Sequence, residues 1–322
     1  MTTNISSVRG LTDTWDDRGG HLWPKDREVA REDATIVRYA VRGPVGAPTV
    51  VFCAGYLCPD NFWRDLAPDL VHDHRVIMLN YRGVGASSEA GGGARPTDAG
   101  AYAIEHLADD VAAVMDAEAV GRATGAPATV IGHSMGVQVA LALWRRRPEL
   151  VGRLALIAGP YGSPLKTFYG RSIAANVFPL VSIAGPALPR GVLRPLMHAL
   201  ELPVTMPVAR AIRALGPHTP EEGMHGYRWH LGRVDPRTAI WTARGMAEYD
   251  AGSFLTEVDV PMLIAVGGAD SWCPTSVGDA LLERVPHAEL LVVPEASHGL
   301  PIEFPELLLP RIRALADERA AG

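Results

Sequence analysis

Short runs of nearly unbroken apolar residues recur in two parts of the chain, one before residue 160 and one after residue 260. A run in which both alternating faces are apolar predicts a strand that is buried on both sides of a sheet. The predicted buried strands are residues 49–53, 75–80, 128–131, 154–157, 261–266 and 289–293. A further segment, residues 35–41, alternates polar and apolar positions and predicts a half-buried strand.

Helical periodicity fills the intervals between these strands. In residues 101–120 the apolar side chains recur at helical spacing, and acidic side chains occupy the other face. A shorter helix is predicted near residues 61–70, and a closing amphipathic helix near residues 305–319. The alternation of buried strands with helices predicts an α/β fold, in which helices cover both faces of a mainly parallel sheet.

The alternation stops between residues 161 and 249, which contain many prolines and short helix-like apolar pieces but no comparable buried strand. So long a segment is not expected to be a loop, and it predicts an inserted helical cap or lid. The core is then made of residues 25–160 and 250–322. Residues 1–24 are polar and lack the apolar centre of a signal peptide, so they are predicted to form a leader.

Composition excludes some classes of function. The net charge of −6 and the sequence pI of about 6.0 argue against nucleic acid as a partner. No apolar run approaches the roughly 18 residues of a membrane span. The 3 cysteines are few and odd in number, which makes a disulfide framework unexpected and favours a reducing cytoplasm.

The main chemical motif is Gly-His-Ser-Met-Gly at residues 132–136, between a predicted strand and a helix-like apolar stretch at 137–143. A strand, a sharp turn and a helix are the context of a nucleophile elbow. Glycine on both sides of Ser134 gives the turn room that a side chain would fill, and the helix N-terminus faces developing negative charge. A glycine-rich turn with a solvated serine is the alternative, and the flanking strand and helix favour the nucleophile.

Serine at neutral pH needs an adjacent base that an acid orients. His298 directly follows the last predicted strand, and Asp270 directly follows the one before it, so both belong to the sheet edge where open α/β sheets bind ligands. The order Ser134, Asp270, His298 is the order of a nucleophile-elbow triad. Asp250 and Asp259 precede that strand, and for all three aspartates a cap or turn role is the alternative.

The oxyanion hole is predicted to use two backbone N–H groups. One belongs to Met135, directly after the nucleophile, and the other to the loop after strand 49–53. Tyr56 is the donor favoured by position in that loop, and Leu57 is the neighbour with which it could be confused.

Together these residues resemble the α/β-hydrolase fold family, in its capped, serine-nucleophile, esterase- or lipase-like branch. The resemblance runs from about residue 35 to residue 316. Four motifs carry it in order: Gly132–Gly136, Asn80–Ser88 (NYRGVGASS), Val266–Pro274 (VGGADSWCP) and Glu295–Gly299 (EASHG). It implies a mostly parallel eight-stranded sheet, a Ser-His-Asp triad and neither a cofactor nor a metal.

The chain departs from the family pattern at two positions. Capped members commonly have His-Gly in the oxyanion loop, whereas this chain has Ala54-Gly55. Asn80 replaces an aspartate that often precedes the Arg-Gly-x-Gly turn, and its role is expected to be structural. Because residue 134 is serine and not aspartate, the resemblance does not extend to haloalkane dehalogenases and epoxide hydrolases.

The sequence therefore predicts a serine hydrolase that cleaves an ester or thioester of a hydrophobic small molecule. A homodimer is compatible with the sequence. The alternative is a non-hydrolytic or C–C-bond-acting protein of a biosynthetic pathway (a cyclase, lyase or lactonase) or a ligand-binding module. The missing loop histidine keeps this alternative open. The predicted substrate-binding residues are Leu57, His133, Tyr161, Phe168 and Trp229.

Overall fold

A computed structural model describes residues 22–93, 95–121, 126–166, 185–211 and 215–317. Its framework is a single sheet with the strand order β1-β2-β4-β3-β5-β6-β7-β8. The strands are β1 (Arg27–Ala30), β2 (Ile36–Arg42), β3 (Thr49–Cys53), β4 (Arg75–Leu79), β5 (Ala128–His133), β6 (Val151–Ile157), β7 (Met262–Gly267) and β8 (Glu289–Val293). The pairs β1–β2 and β2–β4 are antiparallel and the other five are parallel. The predicted eight-stranded, mostly parallel sheet is confirmed.

The α-helices of the described residues fall between and after these strands. They are α1 (Ala67–Leu70), α2 (Ile104–Ala117), α3 (Met135–Arg146), α4 (Arg190–Ala199), α5 (Thr205–Ala211), α6 (Glu221–Leu231), α7 (Pro236–Glu248), α8 (Thr275–Arg284), α9 (Leu300–Glu303) and α10 (Pro305–Asp317). The described part of the predicted cap contains α4 to α7 and no strand. The chain between β6 and β7 is therefore helical where the structure describes it.

Two hydrophobic clusters cover the two faces of the sheet. In β3, Val51 and Cys53 belong to one cluster, and Val50 and Phe52 belong to the other. Helices α2 and α3 supply much of the first cluster, and α10 contributes to the second. Alternate side chains of a strand point to opposite faces, so an unbroken apolar run is what a strand covered on both faces requires.

The structure corrects three expectations about local elements. Strand β8 is at the edge of the sheet and only Val293 of its five residues is buried, so the prediction of a strand buried on both sides is wrong there. Strand β1 was not predicted, because its 4 residues are mostly exposed and leave no pattern that a sequence could reveal. The predicted helix at 61–70 is wrong as one element: a 3₁₀ turn (Asp60–Trp63) and the short α1 replace it. Pro68 explains the break, because proline has no N–H to donate to the preceding turn and is tolerated only in the first turn of a helix.

The predicted leader lies outside the described residues except for residues 22–24. The backbone N–H of Leu22 donates to Asp60 Oδ2 over 3.1 Å, and Lys25 forms a buried ion pair with the same carboxylate. Nowhere in the described ranges does a helix have both the length and the apolar character needed to cross a membrane.

Candidate active site

Ser134 occupies a sharp turn between β5 and α3. Its φ of 54° and ψ of −120° are unusual for a residue with a side chain, and α3 begins at the next residue. A Cβ atom on Gly132 would lie 2.3 Å from the carbonyl oxygen of Gly136, across the turn. A Cβ atom on Gly136 would lie 1.9 Å from the carbonyl oxygen of Cys53. The two glycines therefore allow both the turn itself and the close approach of β3.

The structure brings Ser134, His298 and Asp270 into one hydrogen-bonded line. His298 Nε2 lies 2.8 Å from Ser134 Oγ, and His298 Nδ1 lies 2.9 Å from Asp270 Oδ2. An ionised carboxylate can only accept, so the proton of the ring is on Nδ1 and Nε2 is free to accept from the serine hydroxyl. This is the geometry in which a histidine can act as a general base towards a serine.

The position of Asp270 follows from how two loops pack at the edge of the sheet. Its buried carboxylate accepts through Oδ1 from the backbone N–H of Trp272 (2.7 Å) and of Cys273 (2.9 Å). The Ala269 N–H donates to Ala296 O over 2.9 Å, which ties the loop after β7 to the loop that carries His298. Asp270 therefore has partners on both oxygens, and its loop is joined by backbone to that of the histidine.

The loop after β3 turns tightly against the nucleophile. The Cys58 N–H donates to Gly55 O over 3.1 Å, and Leu57 has a positive φ of 50°. Within the ranges that the structure describes, the backbone N–H groups of Met135, Tyr56 and Leu57 have no acceptor. Unpaired N–H groups beside a serine are what an oxyanion hole needs. Met135 with Tyr56 stays the prediction, and Leu57 stays the alternative.

Two tyrosines hold this loop against the helices of the predicted cap. The Tyr227 hydroxyl of α6 donates to Tyr56 O over 3.2 Å, and the Tyr56 hydroxyl donates to the carbonyl of Ala239 in α7 over 2.7 Å. Ala54, at the position where the family resemblance predicted histidine, is packed in the hydrophobic core. The loop is thus held by contacts that its own sequence does not reveal.

His133, predicted to bind substrate, is buried beneath the triad and is only 1% exposed. Its Nε2–H donates to the backbone carbonyl of His298 over 2.9 Å, and its ring stacks on Phe62 with 4.6 Å between the centroids. The pKa of His133 is lowered to about 3, mainly by burial and also by the charge of His298, while the hydrogen bond to the carbonyl and the charge of Asp270 partly oppose the shift. His133 is therefore a neutral donor that holds the backbone of His298.

The low pKa of His133 predicts a loss of stability in acid. The unfolded state takes up a proton near the ordinary histidine pKa of 6.5, and the folded state only near pH 3. The contribution of His133 to the free energy of unfolding is therefore fully present above pH 6.5. It is lost as the pH falls towards 3, by up to about 1.4 kcal/mol per pH unit. We expect the free energy of unfolding to fall less steeply between pH 6 and pH 4 in His133→Gln than in the wild type.

Chemical denaturation at several pH values measures this difference. His72→Gln, which changes an exposed histidine, is the matched control and should keep the wild-type slope. Equal slopes in His133→Gln and the wild type would contradict a buried, neutral His133.

The other predicted substrate-binding residues are placed as follows. Leu57 is fully buried. The half-buried Tyr161 has the guanidinium of Arg284 at 5.6 Å from its ring, and Trp229 has that of Arg233 at 3.6 Å. Phe168 lies outside the described residues. A role of these side chains in substrate binding stays a prediction.

Trp272 is a site residue that the sequence analysis did not select. Its ring stacks on His298 with 5.5 Å between the centroids and an interplanar angle of 22°, and it is 39% exposed. Its place two residues after Asp270 in the acid motif is the available sequence signal. An exposed aromatic ring stacked on His298 is suited to contact an apolar part of a ligand.

Asn80 and the three cysteines lie in surroundings that suit a structural role. Asn80 Oδ1 accepts from the Ala86 N–H over 3.2 Å, which closes the turn of its motif and agrees with the predicted structural role. All three cysteines are free and buried, and burial raises the pKa of the Cys53 thiol to about 12. The described residues contain no cluster of three or more His, Cys, Asp or Glu side chains that could hold a metal ion.

Comparison with known proteins gives the class to which this fold and site belong. The family described as alpha/beta hydrolase fold matches residues 48–195. A pimeloyl–(acyl-carrier protein) methyl ester esterase from Neisseria meningitidis serogroup C is 30% identical over 259 residues, which are 80% of this chain and 88% of that protein. The chain belongs to the α/β-hydrolase family and is an enzyme of the hydrolase class.

Two further similarities agree with this class. A putative carbamate hydrolase RutD from a Caulobacter species is 25% identical over 262 residues, which are 80% of this chain and 86% of that protein. A crystal structure of a hydrolase from Pseudomonas aeruginosa has a TM-score of 0.70 at 20% identity, and the match covers 91% of this chain and 98% of that one. At that identity the structural similarity supports the fold alone.

Proposed function

We propose that this hydrolase cleaves a carboxylic ester or thioester of a hydrophobic small molecule through an acyl-enzyme on Ser134. The observation that carries the proposal is the hydrogen-bonded line from Asp270 through His298 to Ser134 Oγ. A serine in that arrangement can lose its proton as it attacks, which a serine in water at neutral pH does too rarely to be useful.

The first half of the reaction forms the acyl-enzyme. Ser134 Oγ attacks the carbonyl carbon while its proton passes to His298 Nε2, and Asp270 stabilises the resulting imidazolium. The negative charge on the former carbonyl oxygen is accepted by the N–H groups of Met135 and Tyr56 and by the N-terminal end of α3. When the intermediate collapses, the alcohol or thiol leaves and takes the proton from His298.

The second half repeats these steps with water. His298 Nε2 accepts a proton from a water molecule, whose oxygen attacks the acyl carbon. The same N–H groups hold the oxyanion, and its collapse releases the carboxylic acid while Ser134 Oγ regains the proton. No redox step occurs, and the only co-reactant is water.

The substrate class is inferred from the site and from the relatives. The Neisseria relative is named for a methyl ester, and the Caulobacter relative for a carbamate, and in both groups a heteroatom flanks the carbonyl carbon. Trp272 beside His298 and the aromatic Tyr56 and Tyr227 give this site an apolar boundary. We therefore favour an ester or thioester with an apolar acyl or alcohol part.

We also propose that residues 161–249 act as a cap over this site. The contacts of Tyr227 and Ala239 with Tyr56 support the proposal, because they join α6 and α7 to the predicted oxyanion loop. The non-hydrolytic alternative rests on the missing loop histidine alone, and the free N–H groups beside Ser134 favour hydrolysis over it. A cytoplasmic location, the absence of a cofactor and a homodimer stay predictions from the sequence.

A series of nitrophenyl esters with increasing acyl length tests the proposed function. We expect a rapid release of about one nitrophenol per active site before the steady state. We also expect kcat/KM to rise about fourfold for each methylene buried, since each contributes about 0.8 kcal/mol, until the pocket is full. Ser134→Ala is the control for background hydrolysis. Turnover that is the same in wild type and control would contradict the proposal, and a flat series would contradict the apolar substrate.

A further inference from the structure

We infer that Glu303 is a positioning residue for His298 and that Thr219, in the predicted cap, acts through it. Glu303 is the last residue of α9, on the turn of chain that directly follows the catalytic histidine. The inference rests on the proposed function, because it assigns a role towards the general base of that reaction.

Glu303 holds the residue directly before His298 at two points. Its Oε2 accepts from the backbone N–H of Ser297 over 2.6 Å, and its Oε1 accepts from the Ser297 hydroxyl over 2.5 Å. Hydrogen bonds to an ionised acceptor are stronger than those between neutral groups. Two such bonds to one residue fix its backbone and side chain together.

The same carboxylate is contacted from the predicted cap. The Thr219 hydroxyl donates to Glu303 Oε1, and the Gly216 N–H donates to the Ser297 hydroxyl over 2.9 Å. Gly216, Thr219, Ser297 and Glu303 are called the clasp below. Thr219 and Ser297 are each only 1% exposed, so water competes little for these bonds.

A second contact of the same two segments lies beside the clasp. The ring of His218 packs on Phe304 with 5.2 Å between the centroids, and His218 Nε2 lies 3.3 Å from Glu295 Oε2. Residues 216–219 therefore contact the chain both before and after His298. Its position and that of the loop are set together.

The clasp supplies a restraint that the other contacts of His298 do not. Asp270 orients the ring through Nδ1, and His133 holds the carbonyl on the C-terminal side of the residue. Glu303 holds the backbone on the N-terminal side through Ser297. Without it the ring keeps Asp270 as a partner but can shift relative to Ser134 Oγ, and a displacement of about 1 Å can cost about 10²-fold in rate.

Steady-state kinetics of paired variants tests this role. Thr219→Val removes the hydroxyl at nearly constant volume, and Glu303→Gln removes the charge at constant length. We expect kcat to fall about 10- to 100-fold in both variants, with KM changed less than about threefold, because substrate contacts remain. Thr219→Ser keeps the donor and should retain kcat within about threefold of the wild type. Glu306→Gln, at an exposed glutamate in the first turn of α10, is the matched control.

The outcomes separate the inference from the proposed function. If Ser134→Ala is inactive but Thr219→Val and Glu303→Gln keep kcat within threefold of Glu306→Gln, the clasp has no positioning role and the proposed function stands. A rise in KM at constant kcat, or an equal loss in Thr219→Ser, also overturns the inference. If Ser134→Ala retains activity, the proposed function itself fails. If Glu303→Gln does not fold, the kcat and KM of Thr219→Val decide whether the clasp positions His298.

Discussion

Replacement of Ser134 with alanine is expected to lower kcat/KM for a nitrophenyl ester by at least about 10⁴-fold. The hydroxyl that His298 accepts from is the only group in the line Asp270–His298–Ser134 that can form the acyl-enzyme. Removal of a nucleophile leaves only the catalysis that the oxyanion hole and substrate binding provide without it. Alanine adds no atom to the strained turn, so the fold should be retained.

Two further variants show whether the loss is specific to the triad. Ser276→Ala, at an exposed serine in α8, should have wild-type activity. Asp270→Asn leaves Ser134 in place but removes the acceptor of the Nδ1 proton, and it should cost about 10⁴-fold in kcat. Circular dichroism and thermal unfolding check that each variant is folded. Activity above a tenth of the wild type in Ser134→Ala would contradict the role of this serine.

Of the single methyl groups that could be added near the site, the one added in Gly136→Ala is expected to cause the largest loss of stability and activity. The new Cβ would lie 1.9 Å from the carbonyl oxygen and 2.7 Å from the carbonyl carbon of Cys53, which are backbone atoms at the end of β3. Backbone cannot move aside as a flexible side chain can. We expect a loss of about 3 kcal/mol or more in the free energy of unfolding, together with a loss of activity because the oxyanion loop is displaced.

Gly191→Ala is the matched control for this substitution. Gly191 lies in α4, and a Cβ there would have no heavy atom within 4 Å, so alanine should be neutral or stabilise the protein by up to about 1 kcal/mol. Urea denaturation of both variants measures the difference. Equal stabilities of Gly136→Ala and Gly191→Ala would contradict the close approach of β3 to the nucleophile turn.

The parts of the fold that the sequence predicted well are those fixed by burial on two faces. In β3, Val50 and Val51 enter different clusters, so the apolar run is a direct consequence of the fold. The order of Ser134, Asp270 and His298 could also be predicted from the sequence, because each residue follows a parallel strand of the sheet at the same edge. Strand β1 could not be predicted from the sequence, because its mostly exposed residues carry no burial pattern.

The contacts that hold the site could not be predicted in the same way. Glu303, His133 and Trp272 contact the histidine loop through one or two hydrogen bonds or through one ring contact, and such contacts impose no periodicity on the sequence. Tyr227 reaches the oxyanion loop from a helix that is far from it in sequence. Their roles follow only from the way the chain packs.

The sequence left two questions open in the predicted oxyanion loop. The absence of the loop histidine leaves a non-hydrolytic role open, and Leu57 is a neighbour with which Tyr56, the favoured donor, could be confused. In the structure Ala54 fills a core position, while hydroxyl groups from Tyr56 and Tyr227 tie the loop to α6 and α7. These contacts can hold the loop in place without a histidine.

Covalent trapping with a fluorophosphonate distinguishes an activated serine from a binding site of the same shape. The reagent is added to the wild type, Ser134→Ala and Asp270→Asn, and the products are followed by intact mass and peptide mapping. We predict one adduct per chain, located on Ser134, which is absent from Ser134→Ala and forms much more slowly in Asp270→Asn. A wild-type protein that acquires no adduct, or one that acquires it at another residue, would contradict a nucleophilic Ser134 and with it the acyl-enzyme mechanism.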